Sequence, residues 1–236
     1  EKEIIKSWKK SDKILVSFVT LTYNHERYIE NTIRGFLIQK TNFPIEIIIH
    51  DDASNDNTAK IIENYFKKYP NIIKPIIQKE NQKSQNKKII KKFILPILNG
   101  KFIAVCEGDD FWIDPLKIQL QANFLESHPD YSFCFHRALK VNQYGNNLGN
   151  TWPKKNFKKQ KLVLKDLLRG NIISTQTVMY RSINYKFDEN YMKLRKDLYF
   201  GDWVNHILNA EKGPIFFIDK IMAIYRVTDQ GATRST

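Results

Sequence analysis

KFIAVCEGDDFW, residues 101–112, is the stretch that decides how this chain folds. Its first half is a largely apolar run that is typical of a buried strand, and acidic residues follow directly. Asp109 and Asp110 therefore lie where a strand ends and a loop begins. Ionised carboxylates are rarely buried without a partner, and two neighbouring ones repel each other. The pattern indicates a divalent cation such as Mg²⁺ or Mn²⁺, which prefers oxygen ligands and binds a diphosphate at the same time.

The alternative interpretation is that these acids begin a helix. Asp114-Pro115 already fits an N-cap followed by proline at the first helical position. Because Asp114 fills that role, Asp109 and Asp110 are left without a structural function, and we favour the cation and diphosphate interpretation. That helix would carry Leu116, Leu120 and Phe124 at helical spacing.

Length and composition indicate a soluble globular protein. With 236 residues, 42% hydrophobic and 13% aromatic, the chain can bury a substantial core as a single domain over residues 1–236. No apolar run approaches the roughly 20 residues that span a bilayer, and the lysine-rich start lacks the apolar segment of a signal peptide. We therefore expect a cytoplasmic protein. Cys106 and Cys134 lie in apolar runs and are expected to be core residues, not metal ligands.

The net charge of +13 is unevenly distributed along the chain. Most of the excess lies in two lysine-rich stretches, Lys60–Lys101 and Lys154–Arg169. Such a field suits nucleic acid, anionic lipid headgroups or phosphorylated substrates, and a solvated lysine face would give the same sequence. The charge alone does not choose between these alternatives.

Strands and helices alternate through the first half of the sequence. Continuous apolar runs predict buried strands, and apolar residues at helical spacing predict the helices between them. This alternation implies right-handed crossovers and an α/β fold, with a Rossmann-like, mostly parallel central sheet flanked by helices. The predicted strands are Ile14–Leu21, Ile45–His50, Ile72–Gln78 and Lys101–Cys106. The last intervening helix is predicted over about Lys87–Leu98, bent or ended near Pro96.

Polar clusters follow directly after three of these strands. They are Tyr23-Asn24, Asp51-Asp52 and Asp109-Asp110. Because parallel strands end at the same edge of a sheet, these clusters are expected to meet there. Ligands of open α/β sheets bind at this edge. Their coincidence is the strongest indication of a binding site that the residues give.

The alternation ends after Asp130, and a mixed α+β part is predicted beyond it. The predicted elements are a strand over Tyr131–Val141, an exposed basic loop over Asn150–Lys161, a short helix near Leu164–Leu168, a strand over Ile172–Arg181, a helix from Gly201 to about Ala210, and a closing pair of strands over Ile215–Ile218 and Ile221–Val227. No internal repeat and no domain linker is evident.

A set of motifs, taken in order, resembles that of the family 2 glycosyltransferases with the GT-A fold. The motifs are Tyr23-Asn24, Asp51-Asp52-Ala53-Ser54, Glu107–Trp112 and Gly201-Asp202-Trp203. The chain looks most like bacterial members that carry an EGDD(Y/F)W motif and assemble surface polysaccharide. The resemblance implies an inverting transferase that uses a nucleotide-diphosphate sugar, most simply a UDP-sugar, together with Mn²⁺ or Mg²⁺. The acceptor would be a growing glycan or a lipid-linked acceptor.

The resemblance also implies a role for individual residues of a nucleotide-sugar-binding half, residues 13–112. Tyr23 would stack on the nucleobase, and Asp52 would accept a hydrogen bond from it, because an aromatic ring and a carboxylate suit the face and the imide N–H of uracil. Asp109 would lie near the ribose, and Asp110 would ligate the metal. The further donor-binding residues would be Thr22, Asn24, Asp51, Lys87 and Lys88.

In the acceptor-side half, residues 113–236, the resemblance implies that Asp202 is the general base. An inverting transfer needs a carboxylate that removes the acceptor proton while the acceptor oxygen attacks the anomeric carbon. The alternative is that Asp202 only caps a helix, and both roles can hold together. The residues predicted on the acceptor side are Trp112, Thr175 and Trp203.

One departure from the family pattern concerns the metal. Related sequences commonly have a histidine shortly after the Tyr-Arg pair near the C-terminus, and Thr228 holds that place here, with Asp229 as an alternative oxygen donor.

The basic stretches admit two further partners. Lys154, Lys155, Lys158 and Lys159 would guide the protein to an anionic membrane that carries the acceptor. The rival function is a basic nucleic-acid-binding α/β module without catalysis, which we disfavour because the acidic pairs would repel phosphate and no recognition motif is present.

Overall fold

Parallel strands form the first part of a single sheet in the computed structural model, which describes residues 1–8, 13–85, 88–184 and 201–229. The elements of this part are α1 (Lys2–Lys6), β1 (Val16–Thr22), α2 (Ile29–Leu37), β2 (Ile45–Asp51), α3 (Thr58–Lys68), β3 (Ile73–Ile77) and β4 (Phe102–Val105). The strand order is β3-β2-β1-β4, and every pairing within it is parallel. Strands β1 and β2 are buried on both faces, as their continuous apolar runs predict.

The second part continues the same sheet with mixed strand directions. Its elements are β5 (Phe111–Trp112), α4 (Lys117–Ser127), β6 (Phe133–Asn142), β7 (Asn147–Trp152), β8 (Lys161–Leu162), α5 (Leu164–Leu167), β9 (Met179–Arg181), α6 (Gly201–Ala210) and β10 (Ile215–Val227). Beyond β4 the order is β9-β6-β10-β5. Strand β9 is antiparallel to both of its neighbours, and β10 is parallel to β6. The predicted α/β class with a mixed C-terminal part is confirmed.

The core lies on both sides of this sheet. Alternate residues of β1 point to opposite faces, so Phe18 belongs to one buried cluster and Val19 to the other. Cys106 and Cys134 are buried free cysteines, as predicted. Within the described ranges, no helix has both the length and the apolar character needed to cross a membrane.

The helix predicted over Lys87–Leu98 ends close to Pro96, as predicted, but its turns are π-helical and 3-10. A π-helical turn over Ile90–Ile94 is followed by a 3-10 turn over Leu95–Ile97. Pro96 explains the break, because its ring removes an amide donor and clashes with the preceding turn of a helix. Lys87 itself lies outside the described residues.

The strand predicted over Ile172–Arg181 is wrong for most of its length. The N–H and the hydroxyl of Thr177 both donate to the carbonyl oxygen of Ser174, at 3.0 and 2.6 Å, and they close a 3-10 turn over Thr175–Thr177. Hydroxyl side chains compete in this way with the hydrogen-bond ladder of a strand. Only β9, at the end of the predicted range, is extended.

The predicted end of the chain also differs from the structure. The closing pair of strands is a single strand, β10, whose register with β6 is irregular between Ile218 and Ala223. Asp219 and Lys220 interrupt the apolar run there, but they are exposed on a bulged section, so the strand continues past them. The loop predicted over Asn150–Lys161 starts later than expected, because its first residues belong to β7.

Helix α4 turns a different side to the core than its apolar spacing predicts. Leu116 and Leu120 are 43% and 38% exposed, whereas Lys117 and Gln121 are fully buried. The helix begins at Lys117. In the turn that leads into it, Asp114 accepts a hydrogen bond from the N–H of Leu116 at 2.8 Å. A polar pair therefore occupies core space that the pattern assigned to leucines.

Lys117 is an unusual core residue because no carboxylate pairs with it among the described residues. Its Nζ donates to Gln121 Oε1 at 2.7 Å and lies 4.1 Å from the ring centroid of Trp112. Burial lowers the pKa of Lys117 to about 7, although the thiols of Cys106 and Cys134 act in the opposite direction. The folded protein therefore binds this proton less tightly than the unfolded chain does.

We expect Lys117 to make the stability of the fold depend on pH. The pKa is about 7 in the folded state against an ordinary value of 10.5, so the unfolded state binds more protons between these values, and the free energy of unfolding rises with pH. The contribution reaches about 1.4 kcal/mol per pH unit. Denaturant unfolding of the wild type and of Lys117→Met from neutral to alkaline pH measures it, because the variant lacks only this group. Parallel profiles for the two proteins would contradict the assignment.

Candidate active site

The loops after β1 and β2 are tied together at the carboxyl edge of the sheet. The N–H of Asn24 donates to Ser54 Oγ at 2.9 Å, and the N–H of Asn55 donates to Asn24 Oδ1 at 2.8 Å. Asn24 has a φ of 54°, a left-handed conformation that asparagine tolerates better than most residues. The two loops form a fixed platform, from which Tyr23 projects with 42% of its surface exposed.

Asp51 and Asp52 have different environments on this platform. Asp51 has no exposed surface, and its carboxylate accepts hydrogen bonds from the N–H and the hydroxyl of Ser54. It therefore shapes the loop and is closed off from a nucleotide-sugar donor, which corrects its prediction as a donor-binding residue. Asp52 is 4% exposed, and its carboxylate oxygens accept from the N–H groups of Gln82 and Lys83 at 2.7 and 3.0 Å. Its contact with a nucleobase stays a prediction.

The acidic turn after β4 packs closely against the loop after β1. A Cβ atom on Gly108 would lie only 2.6 Å from both Thr22 Oγ1 and His25 Nδ1, so no larger residue fits there without displacing the turn. From helix α2, Thr32 Oγ1 lies 3.0 and 2.7 Å from the carbonyl oxygens of Gly108 and Asp110. Thr32 therefore holds the backbone of the acidic turn, and Thr22 packs against Gly108.

Arg226 holds the same turn from the side of β10. Its N–H donates to Asp110 Oδ1 at 2.7 Å, and its Nε donates to the carbonyl oxygen of Asp109 at 2.9 Å. The guanidinium carbon lies 4.8 and 5.4 Å from the ring centroids of Tyr28 and Phe111. The carboxylate of Asp110 is therefore oriented by the backbone of a distant strand.

Negative charge accumulates around the turn. Burial and the charge of Asp109 raise the pKa of Asp110 well above its usual range, although the N–H and guanidinium of Arg226 act in the opposite direction. Desolvation, and then the charges of Asp109 and Asp202, raise the pKa of Glu107 above its usual range. Because the Glu107 side chain is exposed, solvent weakens the desolvation, and the charges of Asp109 and Asp202 remain.

The acidic turn fits a cation that also takes oxygens from a diphosphate. Within the described part of the chain, no group of three or more His, Cys, Asp or Glu side chains could hold a metal by itself. Mg²⁺ is commonly bound by one or two carboxylates together with substrate phosphates, which is what Asp109 and Asp110 offer. The buried carboxylate of Asp110 beside a second negative charge is also what a cation would stabilise. Asp229 accepts a hydrogen bond from Gln143 Nε2 at 2.6 Å, so one of its oxygens is already engaged.

Asp202 lies in the first turn of α6. Its Oδ1 accepts a hydrogen bond from the N–H of Trp203 at 2.8 Å. Its Oδ2 lies 3.4 Å from Asn171 Nδ2 and 3.5 Å from Thr175 Oγ1. The carboxylate is half-buried and held from both sides, so it keeps a defined orientation and still reaches the cleft.

The groups around Asp202 are themselves fixed. Asn171 Oδ1 accepts a hydrogen bond from the N–H of Ile173 at 3.0 Å, which turns its Nδ2 towards Asp202. Trp203 Nε1 donates to the carbonyl oxygen of Leu167 at 2.9 Å and so joins α6 to α5. The structure thus brings together Asp202, Thr175 and Trp203, which the sequence predicts on the acceptor side.

Trp112 does not lie where an acceptor could touch it, which corrects its prediction as an acceptor-side residue. It is 1% exposed and packs against Phe36 with ring centroids 4.6 Å apart. Its Nε1 donates to the carbonyl oxygen of Gln176 at 2.8 Å, so it supports the turn that carries Thr175. The reason is the alternation of side chains along β5, which turns Trp112 to the core and leaves Phe111 partly exposed.

Several residues of the site have no role assigned to them from the sequence. Arg226, Asn171 and Glu107 act through contacts that only the folded chain creates. Lys83 is a further case, because its positive charge opposes the raised pKa of Glu107 and it is held beside Asp52. The predicted basic residue Lys88 is exposed next to the π-helical turn, and its role at the donor stays a prediction.

These features place the chain among Rossmann-like α/β enzymes with an acidic cleft at the carboxyl edge of the sheet. The chain belongs to Glycosyl transferase family 2, whose profile matches residues 17–187. An uncharacterized protein of Mycobacterium tuberculosis is 35% identical over 211 residues, which are 89% of this chain and 58% of that protein. The chain therefore spans less than two thirds of the length of this relative.

Solved structures share the fold. S. aureus TarS 1-349 in complex with UDP-GlcNAc has a TM-score of 0.68 and 19% identity, over 93% of this chain and 60% of that one. The mannosyltransferase PcManGT from Pyrobaculum calidifontis, in complex with GDP-Man and Mn²⁺, has a TM-score of 0.61 and 15% identity, over 98% of this chain and 64% of that one. The likeness confirms the predicted GT-A fold.

Proposed function

We propose that this domain transfers a sugar from a UDP-sugar to a hydroxyl group of a bacterial glycan or lipid-linked acceptor, with inversion at the anomeric carbon. The observation that carries the proposal is the Asp110 carboxylate, which is buried beside Asp109 at the carboxyl edge of the sheet and is oriented by the N–H of Arg226. The family assignment supports sugar transfer, and the complexes of TarS with UDP-GlcNAc and of PcManGT with GDP-Man support a nucleotide sugar as the donor.

The nucleotide would lie over the loops after β1 and β2. The exposed ring of Tyr23 offers a face on which a base can stack. Each carboxylate oxygen of Asp52 accepts one backbone hydrogen bond and keeps a second lone pair, so it can still accept from the imide N–H of uracil. This acceptor is the reason to prefer uracil as the base.

Mn²⁺ or Mg²⁺ would be held by Asp110, with Asp109 beside it. When bound, such a cation neutralises the diphosphate and stabilises it as a leaving group. The chain contributes the orientation of these carboxylates, through the N–H of Arg226 and the hydroxyl of Thr32. Because the metal-binding carboxylate is oriented before the sugar donor binds, little reorganisation is needed during the reaction.

Asp202 would accept the proton of the attacking hydroxyl. Thr175 and Asn171 lie within about hydrogen-bond reach of its Oδ2, at 3.5 and 3.4 Å, and keep that oxygen in one orientation. A positioned carboxylate of this kind contributes to the rate when it lies within reach of the proton it removes. Asn171 is therefore a positioning residue for the proposed base.

Contact with an anionic membrane is a narrower part of the proposal. Lys158 and Lys159 pair with Asp219 and Asp166, which reduces the charge they can offer. Lys154 and Lys155 are exposed on the same loop and would make the contact. Their attraction to an anionic surface is about 1 kcal/mol for each lysine and falls within a Debye length.

Thermal unfolding with UDP, with and without Mn²⁺, tests the proposed function. A ligand at 100 times its dissociation constant adds about 2.7 kcal/mol, which raises the midpoint of a chain this size by roughly 5–10 °C. We expect a clear shift with UDP and Mn²⁺ together and a small one with UDP alone. GDP is the control for the base. Equal shifts in EDTA, or binding of oligonucleotides without metal, would contradict the proposal.

A further inference from the structure

A small cavity opens beside Arg226 and the turn between β6 and β7. Its volume is about 210 Å³. Sites that enclose a whole small molecule usually measure roughly 300–1,000 Å³, so this one has room for a single group of a larger ligand. Its lining residues are Arg27, Tyr28, Asn31, Gln143, Tyr144 and Arg226.

The lining is cationic and rich in hydrogen-bond donors. Two guanidinium groups face two amides and two phenols, and none of the lining side chains is a carboxylate. Arg27 is exposed, and its guanidinium has no hydrogen bond or ion pair with any residue that the structure describes. The carboxylate of Asp229 accepts a hydrogen bond from the side-chain amide of Gln143, which occupies one of its oxygens. Among the residues that the structure describes, no ion pair neutralises the positive charge of Arg27.

The cavity is also built on fixed groups. Arg226 is held by the carbonyl oxygens of Asp109 and Gln143 and by the ring of Tyr28. The β6–β7 turn is closed by Asn142 Oδ1, which accepts from the N–H of Tyr144 at 3.0 Å. A ligand would find these groups already in place, which reduces the entropy cost of binding.

We propose that this cavity, the Arg27 pocket, binds a phosphate group. Arginine suits this ligand because its planar fork matches two phosphate oxygens and stays charged at every relevant pH. The amides and phenols supply further donors to the remaining oxygens. Arg226 touches both the pocket and the Asp109-Asp110 turn, so the bound phosphate would lie next to the reaction site.

The proposal rests on the proposed transfer function only for the source of the phosphate. One source is the diphosphate of the sugar donor, and the other is a phosphate carried by the acceptor. In the second case the Arg27 pocket selects acceptors with an anionic backbone. Both sources share the same chemistry at the pocket, and competition with nucleotide separates them.

The experiment is a calorimetric titration with inorganic phosphate at constant ionic strength, using wild type, Arg27→Ala and Arg34→Ala. Arg34 is the matched control, because it is also an exposed arginine, is paired with Glu30, and does not line the pocket. Loss of a charge-assisted contact is expected to weaken phosphate binding by about tenfold to hundredfold in Arg27→Ala. Arg34→Ala should bind as the wild type does.

Repeating the titration with saturating UDP and Mg²⁺ distinguishes the sources. Undiminished phosphate binding assigns the pocket to a phosphate of the acceptor. If UDP displaces phosphate, and Arg27→Ala weakens UDP binding by the same factor as phosphate binding, the pocket is assigned to the donor diphosphate. Equal phosphate affinity in wild type and Arg27→Ala, or an equal loss in Arg34→Ala, would overturn the proposal. Phosphate binding is measured without a sugar donor, so its outcome is separate from that of the transfer activity.

Discussion

Asp202→Asn is expected to lower the rate of sugar transfer by about 10²- to 10⁴-fold, because it removes the proton acceptor without removing the side chain. Asparagine keeps the shape of the residue and can still contact Asn171 and Thr175. The fold should lose little stability, since asparagine and aspartate are similar at the start of a helix. The measurement is single-turnover transfer at saturating donor, with unfolding followed in parallel.

Asp130→Asn is a matched control for this loss. Asp130 is an exposed carboxylate outside the cleft, so the same change in charge there should leave transfer unchanged. UDP with metal should bind Asp202→Asn with ordinary affinity, because the nucleotide-binding loops are untouched. An active Asp202→Asn variant, or one that is inactive only because it is unfolded, would return Asp202 to a structural role.

Asp110→Asn is expected to abolish the increment in UDP affinity that Mn²⁺ provides, and transfer should fall with it. The reason is the loss of a negatively charged oxygen ligand at the place where the diphosphate and the cation meet. Asparagine can still accept the hydrogen bond from the N–H of Arg226. The variant should therefore stay folded, and removing a buried negative charge beside Asp109 favours the free protein.

The comparison that isolates this effect is Asp114→Asn. Asp114 follows shortly after the acidic turn, but its carboxylate pairs with Lys220 at 2.6 Å. Its replacement removes the same charge, and asparagine can still accept the hydrogen bond from the N–H of Leu116. Titrating UDP against both variants, with Mn²⁺ and with EDTA, measures the increment. If Asp110→Asn keeps the full effect of Mn²⁺, the cation lies elsewhere.

The parallel half of the fold could be predicted because its signals are local. Continuous apolar runs mark β1 and β2, and the polar residues that follow them mark the edge where they end. The errors lie where tertiary contacts override local patterns. Lys117 and Gln121 occupy the core side of α4 because they bind each other there, while the more apolar Leu116 faces solvent.

The candidate site shows the same division between local and distant information. Asp109, Asp110 and Asp202 are found in compact motifs, so the sequence reveals them. Arg226 and Asp110 are 116 positions apart, and no periodicity links them before the chain folds. Asn171 is likewise 31 positions from Asp202, and a single asparagine carries no signal of its own. The sequence therefore predicts the groups that react more readily than those that hold them.

The attachment of Asp110 to β10 has a consequence for protein engineering. A fragment of residues 13–112 would contain the acidic turn and the loops after β1 and β2, but not the backbone N–H that orients Asp110. It would therefore be a poor nucleotide receptor by itself. Two fragments divided in the exposed turn between β6 and β7 would recover the receptor only on reassociation. Nucleotide affinity could then report fragment complementation, which makes this domain a candidate scaffold for a split sensor.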